Sequence, residues 1–374
     1  MYEPMGRQDP RFVFLWPAVA VASATEIAAS LAKRFVSLAM DDGPAAREPQ
    51  WATPNTIALE LKSVRLRDFS TVKDGVPTLL CAPYALHGAA VADLAPAHSL
   101  VVALRDAGLK RLFVTDWRSA TVEMGFLGID DYLAALNVLV DQLGGSVDLV
   151  GLCQGGWMSL LYAARFPTKV RKLVLAGAPI DIAAGRSALS ALADASPLAL
   201  FHELVKLSDG RVLGHKVLKF WGSETIASHE IHRLLQTAES IDSPAFAALE
   251  VIFREWHAWT VDLPGTYYLE VAEKLYKRNE IATGQFIALG QQIDLAKVQV
   301  PIFLLAARDD ELVAPAQLFA AERLVGTPAH AIRKAMVPCG HAGLFMGRTI
   351  LGKYWPKIAR WMIDADSRSL APAA

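Results

Sequence analysis

A cysteine lies at the centre of the run Asp148-Leu149-Val150-Gly151-Leu152-Cys153-Gln154-Gly155-Gly156-Trp157. Apolar, strand-like residues precede it and a helical stretch follows. The spacing Gly-x-Cys-x-Gly therefore describes a sharp strand-to-helix turn that carries a nucleophile at its apex. Gly151 and Gly155 lack a Cβ and let the two backbone segments close on each other, while the residue between them takes a strained conformation. The following helix aims its N-terminus at the sulfur, where its dipole favours a thiolate and an oxyanion beside it. The backbone N–H of Gln154 then supplies one oxyanion donor. The bland alternative is a buried cysteine in a tight turn.

A turn of this kind calls for an acid and then a histidine after later strands. Leu304-Leu305-Ala306-Ala307-Arg308-Asp309-Asp310-Glu311 is a strand running into an acidic loop, and Met336-Val337-Pro338-Cys339-Gly340-His341-Ala342 is a strand end with a histidine among small residues. His341 would take the thiol proton and later activate an acyl acceptor. Asp309 or Asp310 would orient the imidazole and stabilise the imidazolium; spacing alone does not separate the two. Tyr84 and Ala85, in the loop Ala82-Pro83-Tyr84-Ala85-Leu86-His87-Gly88 that follows another strand, are the expected source of the second oxyanion donor.

These residues need a scaffold of strands alternating with helices. Strand patterns fall at Thr78–Cys81, Arg111–Thr115, Val147–Leu152 and Val170–Ala176, with helical patterns at Ser99–Asp106, Asp130–Leu143 and Gly155–Phe166. Such alternation predicts an α/β fold with a mostly parallel sheet covered on both faces. From about Asp181 to Tyr276 the strand pattern gives way to helical periods rich in aromatics, among them Phe201, Phe220, Trp221, Phe246, Phe253, Trp256, Trp259, Tyr267 and Tyr268. So long a stretch between two strands reads as an inserted helical cap. Strand patterns return at Pro301–Ala306 and Ile332–Val337, and a last helix is expected over Leu351–Ile363, with Pro356 at its first turn or at a break.

Composition narrows the class. The chain has 374 residues, a net charge of −1 and 53% hydrophobic residues, enough for a large core and incompatible with global disorder. Near-zero charge argues against a general nucleic-acid binder. The three cysteines (Cys81, Cys153, Cys339) form no disulfide framework and lack metal-ligand spacing, so free thiols in a cytoplasmic protein are expected. No apolar run reads as a secretory signal or a membrane span. Residues 1–56 are expected to form an amphipathic helix, with Ile27, Leu31, Phe35 and Leu38 on its apolar face, and a linker. Residues 57–374 then form the catalytic domain.

With these motifs in place, the chain resembles the polyhydroxyalkanoate (polyester) synthases, most closely the short catalytic subunit of the two-component type that makes poly(3-hydroxybutyrate). The likeness runs from about Pro77 to the final helix. It is carried by Gly151-Leu152-Cys153-Gln154-Gly155-Gly156, Leu160, Tyr162, Pro167-x-Lys169-Val170-Arg171, Tyr84-Ala85-Leu86, Asp93-Leu94-x-Pro96, Asp116-Trp117, Asp131-Tyr132 and Ile293-Asp294-Leu295. The resemblance implies an α/β-hydrolase fold. It also implies a Cys153–Asp310–His341 triad, since the register from Pro301 puts the family's aspartate on Asp310. The implied substrates are 3-hydroxyacyl-CoA and a growing polyester chain, with the CoA thioester as substrate and no cofactor. A synthase partner subunit, a granule surface and a homo-oligomer are the implied associations. The chain departs from the family at Glu311, where a histidine is usual, and at Cys339, where glycine or serine is usual. Glu311 beside Asp310 is expected to raise the imidazole's pKa. Two readings compete with the synthase: a polyester depolymerase or acyl-CoA thioesterase using the same triad, and a non-catalytic granule- or partner-binding protein.

Overall fold

The computed structural model describes residues 46–220 and 226–364. The expected N-terminal amphipathic helix, and Trp221 of the aromatic series, lie outside the described residues.

Eight strands form the central sheet: β1 (Thr56–Glu60), β2 (Val64–Asp68), β3 (Thr78–Cys81), β4 (Leu112–Trp117), β5 (Val147–Leu152), β6 (Val170–Ala176), β7 (Ile302–Ala307) and β8 (Ile332–Val337). Their order across the sheet is β1-β2-β4-β3-β5-β6-β7-β8. From β4 to β8 every neighbouring pair is parallel. β1 and β2 add an antiparallel edge that sequence periodicity did not mark. β3, β4 and β5 are buried along their whole length, as strands covered on both faces must be. The two core layers differ in their helices. On one side pack α1 (Leu100–Asp106) and, later in the chain, the last helix; on the other pack α2 (Ile129–Gln142) and α3 (Gln154–Arg165). This architecture is the α/β-hydrolase fold.

α1 begins where the Ser99 hydroxyl accepts from the Val102 N–H, an N-cap that fixes its first turn. The final helical stretch is broken, not continuous. Arg348–Lys353 ends before a separate helix, Trp355–Ile363, in whose first turn Pro356 sits, where a missing N–H costs nothing.

Between β6 and β7 lie the helices α4 (Ala188–Ala195), α5 (Leu198–Lys206) and α6 (Pro244–Ala258), among other helical pieces. Helical elements continue past Tyr276, with the single turns Glu280–Thr283 and Leu295–Lys297 before β7. This region straddles the sheet edge. Val217, Leu263 and Tyr267 join the core layer of α3, whereas Phe246, Phe253 and Trp256 join that of α1. At its base, the buried Asp181 carboxylate accepts from Asn279 Nδ2 (2.7 Å) and the Ala183 N–H (3.0 Å) and pairs with Arg323. Among the described residues no single helix is long and apolar enough to cross a membrane.

Candidate active site

The carboxyl ends of β3, β5, β6, β7 and β8 meet at one edge of the sheet, the usual place for a site in an open parallel sheet. Register brings the pieces level. Cys81 at the end of β3 pairs with Gly151 near the end of β5, and Leu152 pairs with Ala176 of β6.

Cys153 stands at the turn with φ 48° and ψ −117°, a conformation that side chains rarely adopt. Its N–H still donates to the Ala176 carbonyl (2.9 Å), so the ladder holds the residue up to the moment the chain turns. The Gly156 N–H then donates back to the Cys153 carbonyl (2.8 Å). The neighbouring glycines leave no room for a side chain. A Cβ on Gly151 would lie 2.5 Å from Gly156 Cα, one on Gly155 would strike the Cys81 carbonyl, and one on Gly156 would strike the Ala178 methyl. Strand, turn and helix can therefore close only with this residue set.

The acid and the histidine arrive from β7 and β8. Past the strand ends the ladder continues: Arg308 N–H donates to the Val337 carbonyl (2.8 Å) and Asp309 N–H to the Cys339 carbonyl (3.1 Å). Asp310 then turns inward and its side chain is almost wholly buried, whereas Asp309 is exposed. Asp310 Oδ2 lies 2.8 Å from His341 Nδ1. Cys153 lies close enough to the imidazole to favour its charged form. With Nδ1 engaged by Asp310, Nε2 is the ring nitrogen left for the thiol. Burial works against a charged imidazole here, yet Asp310 and Cys153 outweigh it and hold His341 well above the ordinary histidine range. Gly177, at φ 56°, makes this possible: a Cβ there would sit 3.1 Å from His341 Cε1.

The expectation for Glu311 is corrected. The rise in His341 comes from Asp310 and Cys153. Burial pushes the Glu311 carboxyl up, Arg233 pulls it down, and the adjacent aspartates push it up again. Its field is thus set against Arg233. The other two thiols are poor nucleophiles. Cys81 and Cys339 are buried, and burial pushes each up to about 12. Cys153, half-buried, is the more accessible thiol.

The loop after β3 faces the turn. Ala82 N–H donates to Thr115 Oγ1 (3.0 Å), and Trp117 Nε1 donates to the Ala82 carbonyl (2.9 Å). The Tyr84 ring is buried among Trp117, Tyr132 and Tyr267, and its hydroxyl accepts from Tyr132 (3.0 Å). With its ring so committed, Tyr84 has only its backbone to offer an oxyanion. The Val261 N–H donates to the Leu86 carbonyl (2.9 Å), which ties the loop to the cap region.

Trp157 and Tyr276 were not legible as site residues from spacing. The side chain of Gln154 accepts from Trp157 Nε1 (2.5 Å) and donates to the Tyr276 hydroxyl (2.9 Å). This chain of three fixes the first turn of α3 beside the sulfur. A cavity of about 110 Å³ opens there, bounded by Tyr84, Ala85, Leu86, Gln154 and Tyr276 together with apolar residues of α4 and α5. Among the described residues no cluster of three or more histidine, cysteine or acidic side chains could hold a metal ion.

Comparison with known proteins agrees with this fold. Residues 100–207 match the family model described as alpha/beta hydrolase fold, and residues 227–366 the one described as PHB de-polymerase C-terminus. The poly(3-hydroxyalkanoate) polymerase subunit PhaC of Haloferax mediterranei is 26% identical over 325 residues, covering 83% of this chain and 64% of that protein. Its counterpart from Synechocystis is 27% identical over 327 residues, covering 83% of this chain and 85% of that protein. The one from Allochromatium vinosum is 25% identical over 257 residues, covering 67% and 71%. Among solved structures, a Paleococcus ferrophilus monoacylglycerol lipase superposes with a TM-score of 0.52 at 14% identity, covering 80% of this chain and 98% of that one. A Bacillus megaterium epoxide hydrolase superposes at 0.50 and 13% identity, covering 84% and 98%. These two speak for the fold alone.

Proposed function

We propose, for a chain that belongs to the polyhydroxyalkanoate synthase family of α/β-hydrolase-fold enzymes, that it is a cysteine acyltransferase polymerising 3-hydroxyacyl-CoA with release of CoA. The observation that carries the reading is the convergence of Cys153, His341 and Asp310 at the strand ends, with the imidazole hydrogen-bonded to Asp310 and raised by both neighbours. In the first half-reaction Cys153 Sγ attacks the thioester carbonyl. His341 Nε2 holds the thiol proton and hands it to the departing CoA sulfur, and Asp310 stabilises the imidazolium. One thioester replaces another, so little free energy separates the two sides. The carbonyl oxygen, negative in the transition state, is met by the Gln154 N–H and by a second N–H from the Tyr84–Ala85 loop.

In the second half-reaction the hydroxyl of another hydroxyacyl unit attacks the Cys153 thioester. His341 takes the hydroxyl proton, an ester bond forms, and the thiol is regenerated. The cap region shields the acyl-enzyme from water, which would otherwise release free acid. A polyester granule in the cytoplasm and a partner subunit are the associations that this reading suggests.

A hydrolase with the same triad is the second reading, favoured by the match of residues 227–366 to the depolymerase C-terminal model. Feeding purified protein 3-hydroxybutyryl-CoA, while CoA, polymer and free acid are followed together, separates the two. Polymer with stoichiometric CoA is the expected result; free acid without polymer overturns the synthase. Retention of CoA release in Cys153→Ala overturns both.

A further inference from the structure

The cavity beside Gln154 is larger than the chemistry of the reacting carbonyl requires. Leu192 and Ala193 of α4, Phe201 of α5, Tyr268 and Ala272 line it. The cavity is also adjacent to the nucleophile. Gln154, the residue directly after Cys153, lines it, and so does Tyr276, whose hydroxyl accepts from Gln154 Nε2.

The lining excludes one end of a CoA thioester. No lysine or arginine is among the residues that bound the cavity, so phosphates would find no counter-charge there. A mainly apolar cavity takes up apolar groups; an enclosed one of about 150 Å³ accommodates a benzene ring. At about 110 Å³ this one is too small for a folded polyester segment but well sized for a short alkyl chain. A bare methyl would leave most of its wall without contact atoms, forfeiting dispersion.

We propose that this cavity receives the substituent on carbon 3 of the acyl group carried by Cys153, and that it favours acyl thioesters whose substituent has on the order of four to six carbons over those bearing a methyl. The inference rests on the acyl-transfer reading of the same site and adds its substrate class.

The test compares 3-hydroxyoctanoyl-CoA, with a five-carbon substituent, and 3-hydroxybutyryl-CoA, with a methyl. The ratio of their kcat/KM values is measured in the full chain and in Ala272→Phe and Ala193→Phe, which fill the cavity from two separate helices. The wild-type ratio should favour the longer acyl group by about tenfold or more, and each substitution should lower it by about tenfold or more. A wild-type preference for the methyl-bearing substrate, or a ratio that neither substitution moves, overturns the proposal. A second arm needs no turnover. Cys153 is alkylated with N-methyl and N-pentyl iodoacetamide and followed by mass spectrometry. The pentyl reagent should react faster in the wild type and lose its advantage in a variant; equal rates throughout overturn the pocket. If neither thioester releases CoA, the acyl-transfer reading fails, and the alkylation rates still decide whether the cavity binds alkyl groups.

Discussion

Asp310 and His341 share a hydrogen bond of 2.8 Å, and the carboxylate's other oxygen is held in turn by the backbone N–H groups of Leu312 (3.0 Å) and Val313 (2.9 Å). Three donors thus fix the acid, and the acid fixes the ring. Asp310→Asn keeps the shape but removes the charge that holds the imidazole up. CoA release should fall by about 10³- to 10⁴-fold. The low-pH limb of the pH–rate profile should also change. An unaltered profile with near-normal turnover would remove Asp310 from the site.

A histidine pair sets acid sensitivity. His87 packs 5.0 Å from His257 and 4.7 Å from Trp256, ring centre to ring centre. Burial, then the neighbouring His257, pushes His87 down to about 3; burial, then Arg254, pushes His257 down to about 4. Both rings are neutral in the fold, while the unfolded chain binds protons below pH 6.5. Stability from each is complete above that value and is lost as the pH falls towards the folded values. By pH 5 the loss should be about 2 kcal/mol for each ring. Urea midpoints at pH 7.5 and pH 5 measure it, and His87→Phe should remove about half of the difference. An equal drop in the variant would show that the slope arises elsewhere.

Close packing at the turn can be tested by compensation. A methyl on Gly156 would collide with the Ala178 methyl. Gly156→Ala should destabilise by about 1–3 kcal/mol, as overpacked cores do. Adding Ala178→Gly vacates that space and should recover part of the loss. A double variant no better than the single would mean that the turn backbone, not the Ala178 contact, limits the position.

Asp181 links distant parts of the chain. Its carboxylate joins Asn279 and Arg323, which lie 98 and 142 residues further on. Asp181→Ala leaves these donors and the Ala183 N–H without a buried acceptor, a loss of about 2–3 kcal/mol. The loosened segment should be cut faster by limited proteolysis between Gly185 and Gly210. Cleavage at the wild-type rate would argue against the link as the anchor of this region.

Legibility in the sequence followed the locality of the interactions. The strand Val147–Leu152 and the turn behind it were readable because one short motif carries both the backbone strain and the proposed nucleophile. His341 was readable from chain order, since it follows a strand. The choice of Asp310 over Asp309 came from resemblance, and the burial of one and exposure of the other show why adjacency alone could not supply it. β1 and β2 went unread because Thr56-Ile57-Ala58-Leu59-Glu60 and Val64-Arg65-Leu66-Arg67-Asp68 mix charge into an edge that solvent half covers. The cavity was invisible for another reason. Its walls come from separate helices, and helical periodicity says that a residue is apolar without saying which facing residue it meets. Asp181, Asn279 and Arg323 were equally hidden, being neighbours only after folding.

Cys153 occupies a backbone conformation that an L side chain resists, at an expense of about 1–3 kcal/mol that the rest of the fold must absorb. Selection acting on robustness alone would place glycine at this position and gain a sturdier molecule with no nucleophile. A strained backbone position and the proposed reactive atom therefore coincide in one residue, and a lineage relieved of the proposed chemical task would be free to drift at residue 153 while the sheet beneath it persisted.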